Sequence, residues 1–192
     1  VAGGCKWVNA GEGVGMKISV LTTVFNRPEH LRLLVATLAA QSRRPDELIV
    51  ADDGSAAAAV DAMRACLDNC GFATKLVRQD KGGGQRSAAR NLAIRASSGD
   101  YLVFLDCDIV LLPGALDVHV QSAAPRRLLC GNRALLDEAT TQALFQASPA
   151  PSAEDWEQAW LLADRRAMED AARLFQRHAA LRRWHLARPH KP

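Results

Sequence analysis

Two acidic side chains two positions apart, Asp106 and Asp108, form the most chemically suggestive pair in this sequence. They follow residues 101–105, a continuous apolar run with aromatic and β-branched members, which predicts a strand buried on both faces of a parallel sheet. Side chains two apart on a strand point the same way, so both carboxylates are expected on one face. Because ligands of open α/β sheets bind at the carboxyl edge, the pair predicts a divalent-cation site. The alternative is that the acids merely end the strand.

Other side chains expected at the same edge are suited to a nucleotide. They come from the loops after the first two predicted strands and from a helix that follows glycines 82–84: Thr23, Phe25, Asn26, Asp53, Arg86 and Arg90. An aromatic ring and a carboxylate can hold a base, while arginines and amides at a helix N-terminus can hold phosphates. The paired aspartates would hold a cation that also bridges a diphosphate. A glycine hinge and ordinary surface arginines are the alternatives for the last loop.

Strands and helices that alternate along the chain must position these groups. Strands are predicted at 17–24, 47–51, 74–77 and 101–105, and helices begin at Pro28, after an N-cap at Ser55, and at Arg86. The helical segments place apolar residues three and four apart, which gives each helix one buried face. Short connections in this order are typical of a doubly wound, mainly parallel α/β sheet flanked by helices.

The composition narrows the classes of protein that the chain can belong to. Its 192 residues, 48% hydrophobic and 23% charged, fit a globular domain with a core. The net charge of +3 is too small to favour nucleic acid as a partner. No apolar run approaches the ~20 residues of a membrane span, and the start lacks a secretory signal. Five cysteines without a CxxC pair predict reduced thiols and a cytoplasmic location.

The chain is predicted to have three segments. Residues 1–15 are glycine-rich and lack periodicity, as in a leader; 16–135 hold the α/β domain; 136–192 form a helical C-terminal extension. The extension ends in a basic stretch: Arg182, Arg183, Arg188 and Lys191. A solvated tail is the favoured interpretation of that stretch. The alternative is peripheral contact with anionic lipids at the inner face of the membrane.

Four motifs together resemble the nucleotide-sugar half of family 2 glycosyltransferases, which have the GT-A fold. They are ISVLTTVFN at 18–26, LIVADDGS at 48–55, AARNLA at 88–93 and GDYLVFLDCD at 99–108. The motifs occur in the family's order, and the resemblance covers residues 17–131.

The resemblance implies roles for the candidate residues. Asp106 and Asp108 match the DxD motif that binds Mn²⁺ or Mg²⁺, and Asp53 matches the acid that reads the uracil of a UDP-sugar. Thr23 and Phe25, next to Asn26, match the base and ribose loop. Either Arg86 or Arg90 matches the arginine near the diphosphate; the sequence leaves both open.

The resemblance also implies a metal-dependent inverting transfer to a hydroxyl of a glycan or lipid acceptor. A general base must deprotonate that hydroxyl, and in the family it is usually an Asp far downstream, often in a Glu-Asp pair. No acceptor segment is recognisable here, so the catalytic residue stays unassigned, with Glu154-Asp155 and Glu169-Asp170 as weak candidates. We therefore expect these residues to bind a nucleotide sugar but to transfer it poorly, with a longer chain or a partner supplying the base.

Two other functions compete with this one. A nucleotidyltransferase also combines a metal with an α/β sheet, but it usually has a glycine-rich basic loop after the first strand. Here residues 25–28, Phe-Asn-Arg-Pro, occupy that place, which argues against it. A non-catalytic or truncated nucleotide-sugar-binding module is the other alternative, and binding without turnover would identify it.

Overall fold

The fold is described from a computed structural model that covers residues 15–68, 70–80, 83–147 and 151–164. Except for Gly15, the predicted leader lies outside these residues, as do the basic C-terminal stretch and the Glu169-Asp170 pair. The strands are β1 (Ile18–Val24), β2 (Glu47–Asp52), β3 (Ala73–Arg78) and β4 (Tyr101–Asp106). The helices are α1 (Pro28–Ala39), α2 (Ala57–Leu67), α3 (Arg86–Ala96), α4 (Ala115–Ser122), α5 (Glu138–Gln146) and α6 (Ala153–Leu162).

The strands form one parallel sheet in the order β3-β2-β1-β4. The chain leaves β1 for β2 on one side and later returns to place β4 on its other side. The topological switch point therefore lies between β1 and β4, at whose carboxyl ends doubly wound folds bind ligands. The predicted α/β class and strand order along the chain are confirmed.

Two apolar cores hold the helices on opposite faces of the sheet. Leu31, Leu34 and Leu38 of α1 and Met63 of α2 are fully buried in the core that contains one face of β1 and β2. On the other face, Ala89 and Ala93 of α3 pack with Leu21, Ile49 and Ala51. Small side chains on α3 let this helix lie close to the sheet, so groups on its first turns lie near the strand ends.

The prediction that β4 is buried on both faces was wrong. Val103 is its one fully buried strand residue, whereas Phe104 is 49% exposed. In the described sheet β4 pairs with β1 alone and is an edge strand. A continuous apolar run does not distinguish a central strand from an edge strand, because that difference depends on which neighbours the strand has.

The described residues form two compact units. The first runs to Leu129 and includes Ala147 and Pro151; the second comprises Cys130–Gln146 and residues 152–164. In the second unit, Leu135 and Asp164 form an isolated antiparallel bridge, and α5 packs with α6. The predicted boundary between 135 and 136 stays a prediction. Within the described residues, no helix is both long enough and apolar enough to cross a bilayer.

Candidate functional site

Thr23 and Asp106 are direct neighbours at the carboxyl ends of β1 and β4. They are paired in the parallel register, so their side chains lie on the same face of the sheet. That face is covered by α3, and Arg90 of α3 donates to Asp106 Oδ1 at 2.9 Å. The structure thus joins the predicted ribose loop, the acidic motif and one of the two candidate arginines at the switch point.

Asp108 lies in the turn that follows β4 and not in the strand itself. Strand alternation ends at Asp106, so the argument that placed both carboxylates on one face does not extend to Asp108. Its Oδ2 lies 3.4 Å from Nη1 of Arg27, the residue just before α1. Each aspartate therefore has its own arginine.

These two ion pairs are accessible to a ligand. All four side chains, Arg27, Asp108, Arg90 and Asp106, are between 46% and 54% exposed. Ion pairs at such exposure contribute at most about 1 kcal/mol, so a ligand can replace them at small cost. Arg86 makes no ion pair among the described residues, which makes Arg90 the arginine that reaches the acidic motif.

The acidic motif fits a cation that is shared with a substrate. Among the described residues, no three His, Cys, Asp or Glu side chains come together as a metal site. Mg²⁺ and similar hard cations are often held by one or two carboxylates plus substrate phosphates and water. Cys107 is buried, and this burial, with a smaller contribution from the Asp108 charge, raises the pKa of its thiol to about 11. The donors that the motif offers to a cation are therefore the carboxylates of Asp106 and Asp108, and a cation held by two carboxylates would have further positions for phosphate oxygens.

Asn26 shapes the loop after β1. Its φ of +51° is in the left-handed region, which asparagine tolerates better than most residues. Its backbone N–H donates to Ser55 Oγ at 2.8 Å, and its side-chain oxygen accepts from Ala56 N at 2.9 Å. The predicted N-cap at Ser55 was wrong: Ala56 is the N-cap of α2, and the Ser55 hydroxyl donates to Asp52 instead.

Asp53 is 2% exposed and fully engaged by the segment after β3. Gln79 Nε2 donates to one carboxylate oxygen, and the backbone N–H of Gln85 donates to the other at 3.0 Å. The Asp53 carbonyl accepts from Gly83 N at 2.6 Å. The predicted base-reading acid is therefore at the expected edge, but its carboxylate is covered by internal donors.

The ring of Phe25 is 42% exposed and lies against Gly83. A Cβ on Gly83 would approach the ring Cζ to 3.0 Å, and Gly83 has a φ of +74°. The positive φ favours glycine at this position, and any larger residue would also press on the Phe25 ring. An exposed aromatic face next to the Asp53 loop is consistent with the predicted base-binding role of Phe25.

Sequence reasoning missed Arg27 and Gln79 as site residues. Both were detectable in principle, because they directly follow the turn after β1 and the end of β3, at the same carboxyl edge. Gln79 directly follows Arg78, the last residue of β3, and it precedes the glycine loop that leads to Arg86. A rule that all parallel strands end at one edge would have included Gln79.

In the described part of the second unit, Asp155 of the predicted Glu154-Asp155 pair belongs to a helix cap. Asp155 accepts from Ser152 N and Ser152 Oγ in a capping box at the start of α6. The backbone and side-chain hydrogen bonds from Ser152 lower the pKa of Asp155, the wrong direction for a base at neutral pH. Glu154 shares the same exposed first turn. Their catalytic roles stay predictions.

The parallel sheet and its switch point define a doubly wound α/β domain, and comparison with known proteins identifies the family. The sequence model of Glycosyl transferase family 2 matches residues 19–172, so the chain belongs to this family. The resemblance inferred from the four motifs is thereby confirmed.

Individual relatives match part of the chain. "Hyaluronan synthase" of Pasteurella multocida is 38% identical over 103 residues, 53% of this chain and 10% of that protein. "Chondroitin synthase" of Pasteurella multocida (strain Pm70) is 35% identical over 117 residues, 60% of this chain and 11% of that protein. The chain thus spans about a tenth of the length of these two relatives.

A solved structure shows the same fold. Mannosyltransferase PcManGT from Pyrobaculum calidifontis, in complex with GDP-Man and Mn2+, has a TM-score of 0.53 and 21% identity. The match covers 62% of this chain and 36% of that chain. The expected GT-A fold is confirmed.

Proposed function

We propose that this chain is the donor-binding part of a metal-dependent inverting glycosyltransferase that uses a UDP-sugar. The acceptor would be a hydroxyl of a glycan or lipid. The observation that carries the proposal is the meeting of Thr23 and Asp106 in direct register at the switch point, with Arg90 on Asp106 and Arg27 on Asp108. Acids and arginines together suit a cation–diphosphate pair, which carries both signs of charge.

Each side chain has a part in holding the donor. Asp106 and Asp108 would hold Mn²⁺ or Mg²⁺, and Arg90 would turn from Asp106 to the diphosphate as the cation replaces it. A bound cation would stabilise the negative charge of the leaving diphosphate. Arg86, at the first position of α3, is available to the same diphosphate.

The base and ribose would lie next to this centre. Phe25 offers a half-exposed ring, Thr23 a hydroxyl, and Asn26 keeps the loop in shape. Asp53 would accept the imide N–H of uracil, so we expect UDP to bind more tightly than ADP.

The metal role is tested by calorimetry of UDP binding with Mn²⁺ and with EDTA. We expect wild-type affinity to fall on the order of 100-fold in EDTA. Asp108→Asn should bind UDP equally weakly in both buffers. The matched control is Asp61→Asn, which removes an exposed acid that pairs with Arg64 on α2 and should behave as wild type. Equal wild-type affinity in the two buffers would reject the metal site.

Turnover of a UDP-sugar separates the proposal from its main alternative. Metal-dependent binding with release of UDP in the presence of an acceptor supports a transferase. Binding of the donor without release, by the full natural chain, supports a non-catalytic binding module instead.

A further inference from the structure

The carboxylate of Asp53 is hydrogen-bonded by groups of the protein itself. It is almost completely buried, and each oxygen already accepts a hydrogen bond, one from Gln79 and one from the Gln85 backbone. A buried carboxylate without donors is strongly unfavourable, so an internal donor is expected wherever a ligand is absent. The two donors differ in kind, because a backbone N–H is fixed whereas a side-chain amide can rotate away.

The orientation of the Gln79 amide follows from chemistry. An ionised carboxylate only accepts hydrogen bonds, so the NH₂ group of Gln79, and not its oxygen, must face Asp53. This N–H has the same character as the imide N–H of a uracil ring: a planar, neutral donor next to a carbonyl.

Gln79 is anchored by its backbone but free to move its side chain. Its N–H donates to Asp52 O at 3.1 Å, immediately after β3. The other contact of its amide nitrogen, to Gln85 O, is long at 3.4 Å. The side chain is partly exposed. Rotation into solvent therefore breaks the hydrogen bond to Asp53 and the long contact to Gln85 O.

We propose that Gln79 is a specificity-determining residue of the base subsite, which occupies the Asp53 oxygen in the nucleotide-free protein and gives it up to the base. The inference rests on the proposed function, because it assumes that Asp53 receives the base. Uracil has an imide N–H, so its hydrogen bond to Asp53 can replace the one that Gln79 donates. Cytosine has an acceptor at the equivalent ring nitrogen and cannot replace Gln79 in the same position, so Gln79 stays in place and that nitrogen donates no hydrogen bond to Asp53.

The proposal predicts opposite effects for two substitutions at this position. Gln79→Leu removes the internal competitor, so UDP should bind about threefold to tenfold more tightly. The affinity for CDP should not increase, because the acceptor nitrogen of its ring would face the carboxylate of Asp53 with no donor between them. Gln79→Lys replaces the neutral donor with a charged one that holds Asp53 more strongly, so UDP should bind at least tenfold more weakly.

The measurement is calorimetry of UDP and CDP in Mn²⁺, on variants whose folding is checked by circular dichroism. The matched control is Gln121→Leu, which makes the same substitution at an exposed glutamine of α4 that has no part in the proposed site. It should leave both affinities unchanged. A Gln79→Leu protein with unchanged or weaker UDP binding overturns the proposal. If that variant does not fold, Gln79→Lys decides: weaker UDP binding supports the proposal, and unchanged binding overturns it.

One further variant separates failure of this inference from failure of the proposed function. Asp53→Asn should abolish the preference of the wild type for UDP over CDP. If the wild type shows no such preference, the base assignment of Asp53 fails. If Asp53→Asn acts as expected but neither Gln79 variant changes UDP affinity, only the role of Gln79 fails.

Discussion

Glu47 at the amino edge of the sheet and the Asp106-Asp108 pair at the carboxyl edge have opposite surroundings. At the amino edge, Glu47 is 3% exposed and accepts from Ser19 Oγ at 2.6 Å, Ser98 N at 2.6 Å and Lys75 Nζ at 3.0 Å. The Ser98 hydroxyl adds a further bond at 2.8 Å. At the carboxyl edge, Asp106 and Asp108 each have one arginine and stay about half exposed.

This contrast shows how one fold separates the groups that stabilise it from those available to a ligand. Glu47 accepts four internal hydrogen bonds, which leaves no lone pair for a ligand, and this carboxylate therefore stabilises the folded chain. A half-exposed carboxylate with one replaceable partner contributes little to stability and keeps its remaining lone pairs for a cation. The charges of Glu47 and Asp108 are alike, but the surroundings of Glu47 suit it to stabilise the fold and those of Asp108 suit it to the proposed cation site.

The largest effect should come from Glu47. Burial raises the pKa of this carboxyl, but the hydrogen bonds from Ser19, Ser98 and Lys75 outweigh it and lower the pKa from 4.5 to about 2. A group with a lower pKa in the folded state stabilises the protein above its unfolded pKa. That stabilisation is lost as the pH falls from about 4.5 towards 2.

We therefore expect Glu47→Gln to lower the free energy of unfolding at pH 7 by up to about 3 kcal/mol. It should also flatten the loss of stability between pH 4.5 and 2. Urea denaturation at several pH values measures both effects. Asp108→Asn, the comparison variant at the other edge, should change the free energy of unfolding by less than about 0.5 kcal/mol. Equal effects of the two substitutions would break the contrast between the edges.

A smaller effect is expected at Gly99, which lies against β1 at the amino edge. Its N–H donates to Ser19 Oγ at 2.8 Å, and a Cβ there would lie 2.7 Å from Ser19 N and 2.9 Å from Lys17 O. Gly99→Ala should destabilise the protein by about 2 kcal/mol, because backbone atoms must move. Gly131→Ala, where a Cβ meets nothing within 4 Å, is the control in the same denaturation assay. If Gly99→Ala unfolded at the same urea concentration as the wild type, the amino edge would not be closely packed around Gly99.

The smallest effect is a stabilisation at Thr22. Its Oγ1 is buried and has no hydrogen-bond partner among the described residues, whereas Ser19 on the same strand has Glu47. Thr22→Val keeps the shape and removes the unsatisfied hydroxyl, so it should raise the free energy of unfolding by about 1 kcal/mol. Ser19→Ala should act in the opposite direction. Destabilisation by Thr22→Val in thermal unfolding would mean that the hydroxyl has an acceptor after all.

Sequence periodicity predicted the strands and helices because alternating β and α segments with short connections allow few arrangements. The location of Thr23, Asp53 and Asp106 followed from one rule, that parallel strands end at the same edge. The partners of those residues did not follow from it. That Arg27 pairs with Asp108, and Gln79 with Asp53, depends on rotamers and loop conformation, which a linear pattern does not contain.

Two wrong predictions have the same origin. Serine is a residue type that caps helices, but its hydroxyl can also donate to a neighbouring carboxylate. Here the Ser55 hydroxyl donates a hydrogen bond to Asp52. Phe104 belongs to an apolar run, but burial of a strand depends on the number of its neighbours. In both cases the residue type allowed the predicted role, but the neighbouring groups in the fold determined which role it has.

The hydrogen bonds around Ser55 have a consequence for the entropy of binding. Asn26 N donates to Ser55 Oγ, Ser55 donates to Asp52, and Arg78 at the end of β3 reaches both the Asp52 carboxylate, at 3.5 Å, and Ser55 O, at 2.8 Å. One continuous line of bonds thus connects the ends of β1, β2 and β3. Loops connected in this way have already lost most of their independent motion. A nucleotide that contacts all three would therefore bind with a smaller loss of conformational entropy.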